Sequence, residues 1–362
     1  MPETSTSQPM NLTSAASTMR KVIKFGAIFL VFLMVGRVAL TSFIAFWKAA
    51  NPPPPPPPSV GFGPLPKIIF PNQTSKPTSY RLETVGGTTP FITDRANVYF
   101  MPSVQANIRA LERANQKAVL LGYQFEPEAI DSRRYRWTNT TPIVSTLEMD
   151  ILTGTFSITT NWASYPTLLT NTRLASKEDS INQVKNLVIQ AGAVSTDFKT
   201  ASASAKYLKA IGGQYQEVSV AIDADFVQVD LFRPAVNPKY SSVTSKGKEG
   251  PVHAVITPTG TILEMKMHLF PIETQPAEDY PLRSTAEAWQ LLSNGEGYVA
   301  QKGELDTAIV RSIYMSYYEP DTEQPYYQPV YVFEGDKGFV GIVEAVDARC
   351  IQPNLCQIPA TQ

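Results

Sequence analysis

The chain has 362 residues and a formal net charge of −1, and is 43% hydrophobic and 17% charged. That composition suits a folded protein of two or more units and excludes a long disordered chain or a basic nucleic-acid binder. Residues 1–48 hold Arg20, Lys21, Lys24, Arg37 and Lys48 against Glu3, which leaves the remainder at about −5.

Residues 1–19 are rich in Ser and Thr, and residues 1–20 read as a disordered cytoplasmic tail. Residues 21–48 read as a membrane anchor. Within them the run 25–47 carries Arg37 as its only formal charge, and 23 residues rising about 1.5 Å each cross a hydrocarbon core of about 30 Å. A cleaved secretory signal is the competing reading, because the flank is basic and Ala49 and Ala50 are small. The run exceeds an ordinary signal core of about 7–15 residues, which favours an uncleaved single span. Arg20, Lys21 and Lys24 before it, against Lys48 after it, place the N-terminus in the cytoplasm and the later domains outside the cell membrane. Arg37 sits past the middle of the run, where an unpaired charge costs about 2.5–3.5 kcal/mol. It either snorkels toward the outer interface, with Trp47 and Lys48 as boundary anchors, or pairs with a polar or acidic group on a partner helix.

Residues 49–78 read as a stalk. Seven prolines, Pro52 to Pro58, predict a polyproline II spacer of about 22 Å, and the Gly and Pro residues from Gly61 to Pro71 extend it. Residues 79–170 form a first α+β unit. Strands at 80–85 and 97–101 pair loosely around Gly86-Gly87, and Ser103 caps a helix with Val104, Ile108, Leu111, Ala114, Ala118 and Leu121 on one face. Tyr135 to Trp137 and a hairpin turning at Thr153-Gly154 complete it.

Residues 171–275 form a second unit. A helix capped by Ser176 buries Ile181, Val184, Leu187, Val188 and Ala191, and an Ala- and Ser-rich helix follows over 201–211, stopped by Gly212-Gly213. Strands over 217–232 switch parity near Asp223 to Asp225, and a hairpin pairs 252–256 with 262–270. Residues 276–349 form the third unit, with a Ser284/Glu287 capping box and strands at 306–318, 327–334 and 339–346. Val330 and Val332 alternate with Tyr331 and Phe333, so this sheet needs cover on both faces. The last segment, 350–362, carries Cys350 and Cys356, six apart, which an exported location permits to oxidise to a disulfide; free thiols are the alternative. The fold class is α+β: one transmembrane helix, a Pro-rich linker, then three helix-plus-antiparallel-sheet units.

The helix 284–292, the Tyr317-Tyr318 strand end, the strand Gln328-Pro329-Val330-Tyr331-Val332-Phe333 and residues 339–347 resemble the final domain of YycH/YycI-type membrane-anchored regulators. The helix over a short antiparallel sheet, repeated outside a single anchor, is similar to PepSY-like and cystatin-like domains. The resemblance implies an exported protein that modulates a sensor kinase or another membrane partner by contact, without chemistry of its own.

The residues that carry chemistry are few. His253 and His268 lie on the two strands of one hairpin, and in-register pairing sets His253 opposite Glu264 and His268 opposite Glu249, on a solvated face. They are too far apart for a shared metal, and no metal or cofactor is expected. Asp223 with Asp225, and Glu148 with Asp150, place carboxylates on one strand face, which is the raw material of hydrolysis but reads better as turn or solvent-facing polarity. Tyr314, Tyr317, Tyr318, Tyr326, Tyr327 and Tyr331 are six of sixteen tyrosines. They form either cross-strand packing or an interaction face. The function expected is a non-enzymatic, single-pass protein whose extracytoplasmic domains bind and regulate an envelope partner; a structural envelope tether is the alternative, and a hydrolase using Asp223 and Asp225 the third.

Overall fold

The computed structural model describes residues 12–51, 57–73, 75–105, 107–141, 143–169, 174–237, 239–354 and 356. The chain divides into a unit within Met1–Pro57 and a body within Pro58–Gln362. The first unit is one helix, α1 (Leu12–Ala50), whose apolar side chains face outward on all sides. It is long and apolar enough to cross a membrane. It also begins inside the stretch that composition assigns to a disordered tail. Nucleation is the costly step in a helix, so the apolar run carries Ala15, Ala16 and Met19 along at little further cost. Of the proline run, residues 52–56 lie outside the described residues.

The body is α+β. In chain order it contains β1 (Ser79–Leu82), β2 (Arg95–Phe100), α2 (Ala110–Leu120), β3 (Glu128–Ala129), β4 (Arg134–Asn139), β5 (Ser145–Asp150) and β6 (Phe156–Thr160). Then come α3 (Lys177–Gln190), β7 (Ala203–Ile211), β8 (Gln214–Val218), β9 (Phe226–Leu231), β10 (Ser242–Thr244), β11 (Val252–Ile256), β12 (Ile262–Met267) and β13 (Glu273–Pro281). The last elements are α4 (Thr285–Ser293), β14 (Tyr298–Gln301), β15 (Thr307–Glu319), β16 (Tyr326–Tyr327), β17 (Pro329–Gly335) and β18 (Val340–Glu344).

A helix followed by antiparallel strands does recur after α2, α3 and α4, but the sheets do not divide into three units. The strands following α2 and five of those following α3 merge into one nine-stranded sheet, β3-β4-β5-β6-β12-β11-β9-β7-β8, joined where Ile158 of β6 pairs with Met265 of β12, while β10 lies parallel to the end of β15. One face carries both helices, with Ala114, Ala118, Val184 and Val188 packed on Trp137, Leu147, Val229 and Met265. The other face buries Phe226, Val255 and Leu263 beneath Trp162.

Strands β1 and β2 do not pair with each other. β1 lies parallel to β15, at one edge of the sheet β1-β15-β17-β18-β14, where Tyr80 and Leu82 join the core of Val310 and Phe339. β2 lies between β13 and β16 in a three-stranded sheet. α2 starts at Ala110 and not at Ser103: the Asn107 side chain accepts the Arg109 N–H (2.8 Å), and Ile108 is left fully exposed. The stretch 203–211 is a strand. Ala203, Ala205 and Tyr207 face the helices while Leu208 and Ala210 face the opposite side, and Gly212 (φ 59) with Gly213 (φ 77) makes the turn into β8. An alanine-rich composition hid that period-two pattern.

The expected stalk ends early. Leu65 is wholly buried, its N–H donating to Cys350 O and its C=O accepting from Gln352 N (both 2.8 Å). Ile68 and Phe70 pack against Val330, Val332 and Tyr318, on the sheet face opposite α4. Residues 58–73 are therefore a strap across the C-terminal sheet and supply the second cover its two apolar faces require. Cys350 and Cys356 are joined as a disulfide beside the Leu65 bridge. In α4 the capping box is complete in both directions.

Candidate functional site

The tyrosine-rich strands settle into the core. Tyr317, Tyr318, Tyr327 and Tyr331 are each 1–2% exposed. The Tyr317 ring stacks on Tyr327 (centroids 5.1 Å apart) and its hydroxyl donates to Asn97 O (2.8 Å); the Tyr331 hydroxyl donates to Arg283 O (2.9 Å). Burial raises the Tyr317, Tyr318 and Tyr327 phenols and pushes Tyr331 to about 12. Tyr326 is half-buried between Phe62 (5.1 Å) and Phe100 (6.1 Å). The expected interaction face is therefore mostly internal packing, because alternation along β15 and β17 turns successive tyrosines into two covered faces. Tyr314 is the member of the six that lines an open groove.

That groove has a volume of about 1000 Å³ and lies where the start of β7, the 232–243 segment and the C-terminal sheet meet. Its floor is apolar, with Ala203, Phe232, Pro234, Val243 and Val340, and Lys206, Lys239 and Lys248 stand around it. Glu334 is shared: the Tyr314 hydroxyl donates to it at 2.7 Å and Lys248 lies 3.7 Å away. Burial and the Glu334 carboxylate both raise the Tyr314 phenol, so it stays a donor. Lys206 pairs with Glu217 (3.0 Å), and Lys239 lies over the Tyr240 ring (5.3 Å). An apolar floor with ammonium groups around it suits a ligand or partner segment that is apolar along its length and acidic at a few points.

Below the groove, one buried ion pair joins the exit of β9 to the end of β15. Arg233 holds Glu319 through two bonds (2.7 and 3.1 Å) and donates a third to Phe270 O (2.7 Å); the Tyr327 hydroxyl donates to Glu319 at 3.0 Å. Glu319 is 1% exposed. Burial works against the Arg233 charge, but Glu319 and Tyr327 outweigh it and its pKa is raised. No local pattern pairs residues so far apart in sequence. The available signal was a charge directly continuing an apolar strand, as in Leu231-Phe232-Arg233 and Tyr317-Tyr318-Glu319.

The other singled-out carboxylates and histidines disperse. Glu148 and Asp150 border a cleft of about 530 Å³, where Glu148 pairs with Arg136 (2.6 Å) and Asp150 with Arg133 (2.9 Å). Arg133 also reaches Glu323 (3.0 Å), so one guanidinium bridges two carboxylates across the cleft. Beside it, two backbone N–H donors and the Arg134 side chain hold Asp131 down to about 2. Asp223 is exposed, and Asp225 accepts the Ala210 N–H (2.9 Å), so this pair serves a turn.

His253 pairs with Lys266, not Glu264, because the β11–β12 ladder shifts register between Val255 and Ile256. It is buried rather than solvated, with Nδ1 2.8 Å from the buried carboxylate of Asp230. Burial lowers its pKa, Asp230 and Glu249 raise it, and the net shift is upward. His268 lies at the same open end of the hairpin, its N–H donating to Pro251 O (2.9 Å), and its ring is 3.8 Å from Asp321, bordering the cleft. Among the described residues, no three His, Cys, Asp or Glu side chains are grouped to hold a metal ion.

No protein-family model and no curated protein matches the chain. Among solved structures it is similar to an uncharacterised protein from Eubacterium rectale, with 7% identity and a TM-score of 0.30 over 74% of this chain and 89% of that one.

Proposed function

We propose that the protein is a single-pass, membrane-anchored binding protein whose body docks an envelope or membrane partner through the lysine-bordered groove beside Tyr314. The observation that carries this reading is α1, an outward-facing apolar helix long enough to span, attached to a separate folded body. The basic residues Arg20, Lys21 and Lys24 favour a cytoplasmic N-terminus. The Cys350–Cys356 disulfide suits a body in an oxidising compartment. A sensor kinase regulated by contact is one partner of the kind this arrangement serves.

Fractionation and crosslinking test the proposal. The intact chain should stay with membranes through an alkaline wash. A photo-crosslinker at Ala235, on the groove, should trap one discrete membrane or envelope protein that the same group at Phe125, exposed elsewhere, does not. Release by the wash defeats the anchor, and equal trapping from both positions defeats the groove.

A further inference from the structure

Resting on the reading of α1 as a membrane span, we infer that Arg37 is a docking point for a second membrane helix that carries an Asp or Glu at mid-bilayer depth. Arg37 lies twelve residues from Phe25 and ten from Trp47 in a continuous helix, so roughly 18 Å and 15 Å of apolar rod flank it. Neither half alone crosses a core of about 30 Å, so the helix cannot span with Arg37 at an interface.

Snorkelling does not remove the charge from the core. Five bonds from Cα to the guanidinium carbon reach about 6–7 Å when extended. The Cα–Cβ bond of a helical residue tilts toward the N-terminus, which aims Arg37 along its longer flank, and about 11 Å of apolar helix then still lie between the charge and Phe25. Reaching the Trp47 side against that tilt leaves about 8 Å.

The helix offers no counter-charge of its own. Leu12–Ala50 contains no Asp or Glu, and the hydroxyl of Thr41, one turn on, donates to the Arg37 and Val38 carbonyls (3.0 and 2.9 Å) and carries no charge to set against the guanidinium. A second copy of this chain would bring another arginine to the same depth and repel. Charge complementarity therefore selects a different helix, one whose own buried carboxylate is costly alone and is relieved by the same pairing.

The test uses the full chain reconstituted in phosphatidylcholine vesicles and three fluorescent single-span leucine probe helices, bearing Asp, Leu or Lys at the midpoint. Energy transfer should report about tenfold tighter association with the Asp probe than with the Leu probe. Arg37→Leu should abolish that preference, and Arg37→Asp should transfer it to the Lys probe. Equal binding of the Asp and Leu probes, a preference that survives Arg37→Leu, or self-association of the chain that depends on Arg37 would each overturn this inference while leaving the anchor intact. Release of the chain from the vesicles by an alkaline wash would overturn both.

Discussion

The two large sheets of the body are held closed by different chemistry. The nine-stranded sheet is sealed by aliphatic packing, with α2 and α3 laying Ala, Val and Leu side chains over Leu147, Val229 and Met265. The C-terminal sheet and the three-stranded sheet beside it are stitched by phenols. Tyr280 donates to Gly63 O of the strap, Tyr317 to Asn97 O of β2, Tyr331 to Arg283 O before α4, and Tyr298 to Ser245 O. A tyrosine brings both a large apolar ring and a hydroxyl that satisfies a backbone carbonyl far away in sequence. The enrichment that looks like a binding face is thus a way of tying a strap, a short sheet and a helix entry to one platform.

The largest effect should come where the two regions meet. Glu319→Ala strands the Arg233 guanidinium beside a vacated carboxylate site, and losing one partner of a buried pair costs about 3–5 kcal/mol. Denaturant unfolding of the intact protein should show that loss. The double variant Arg233→Met with Glu319→Leu should recover most of it, because an apolar replacement removes the buried charges along with the bond. If Glu319→Ala melts like the wild type, the pair does not join the sheets.

A smaller change isolates the stitching itself. Tyr331→Phe keeps the ring and removes the hydroxyl that serves Arg283 O, so it should cost about 1 kcal/mol in the same unfolding measurement. No loss at all would mean that the ring alone does the work and that the two sheets differ less than their hydrogen bonds suggest.

Features with a local signature were legible in the sequence. The capping box of α4, the Ser176 cap of α3, the Thr153-Gly154 turn and the alternation of β17 each follow from a few adjacent residues. What escaped depends on distant partners. The strap looks like stalk until Leu65 meets Cys350 and Ile351; β1 looks like half a hairpin until it lies beside β15. β7 was lost differently, since alanine favours helix and only the side occupied by each residue reveals the strand. Of the candidate site, the tyrosines were visible as composition, but which of them opens on solvent depends on the covering segments, and the lysines of the groove come from three separate stretches.

The smallest effect lies within the aliphatic sheet, at its buried titratable pair. Asp230 accepts from Gly250 N (3.0 Å) and Gln228 Nε2 (2.8 Å) and faces His253, with Glu249 nearby and Lys266 opposing. Because burial and the carboxylates act on the imidazole in opposite directions, only part of the pairing survives as a net upward shift. The sign follows from linkage: a folded-state pKa above the unfolded value of about 6.5 means that protonated His253 stabilises the fold fully below that pH. The contribution is lost as pH rises through the folded value. Unfolding midpoints of the intact protein should therefore decline as pH rises from about 6.5 through the folded value, and His253→Gln should flatten that decline while leaving the Tyr331→Phe difference unchanged. A decline of equal slope in His253→Gln would assign the pH dependence to other groups and leave the nine-stranded sheet held by packing alone.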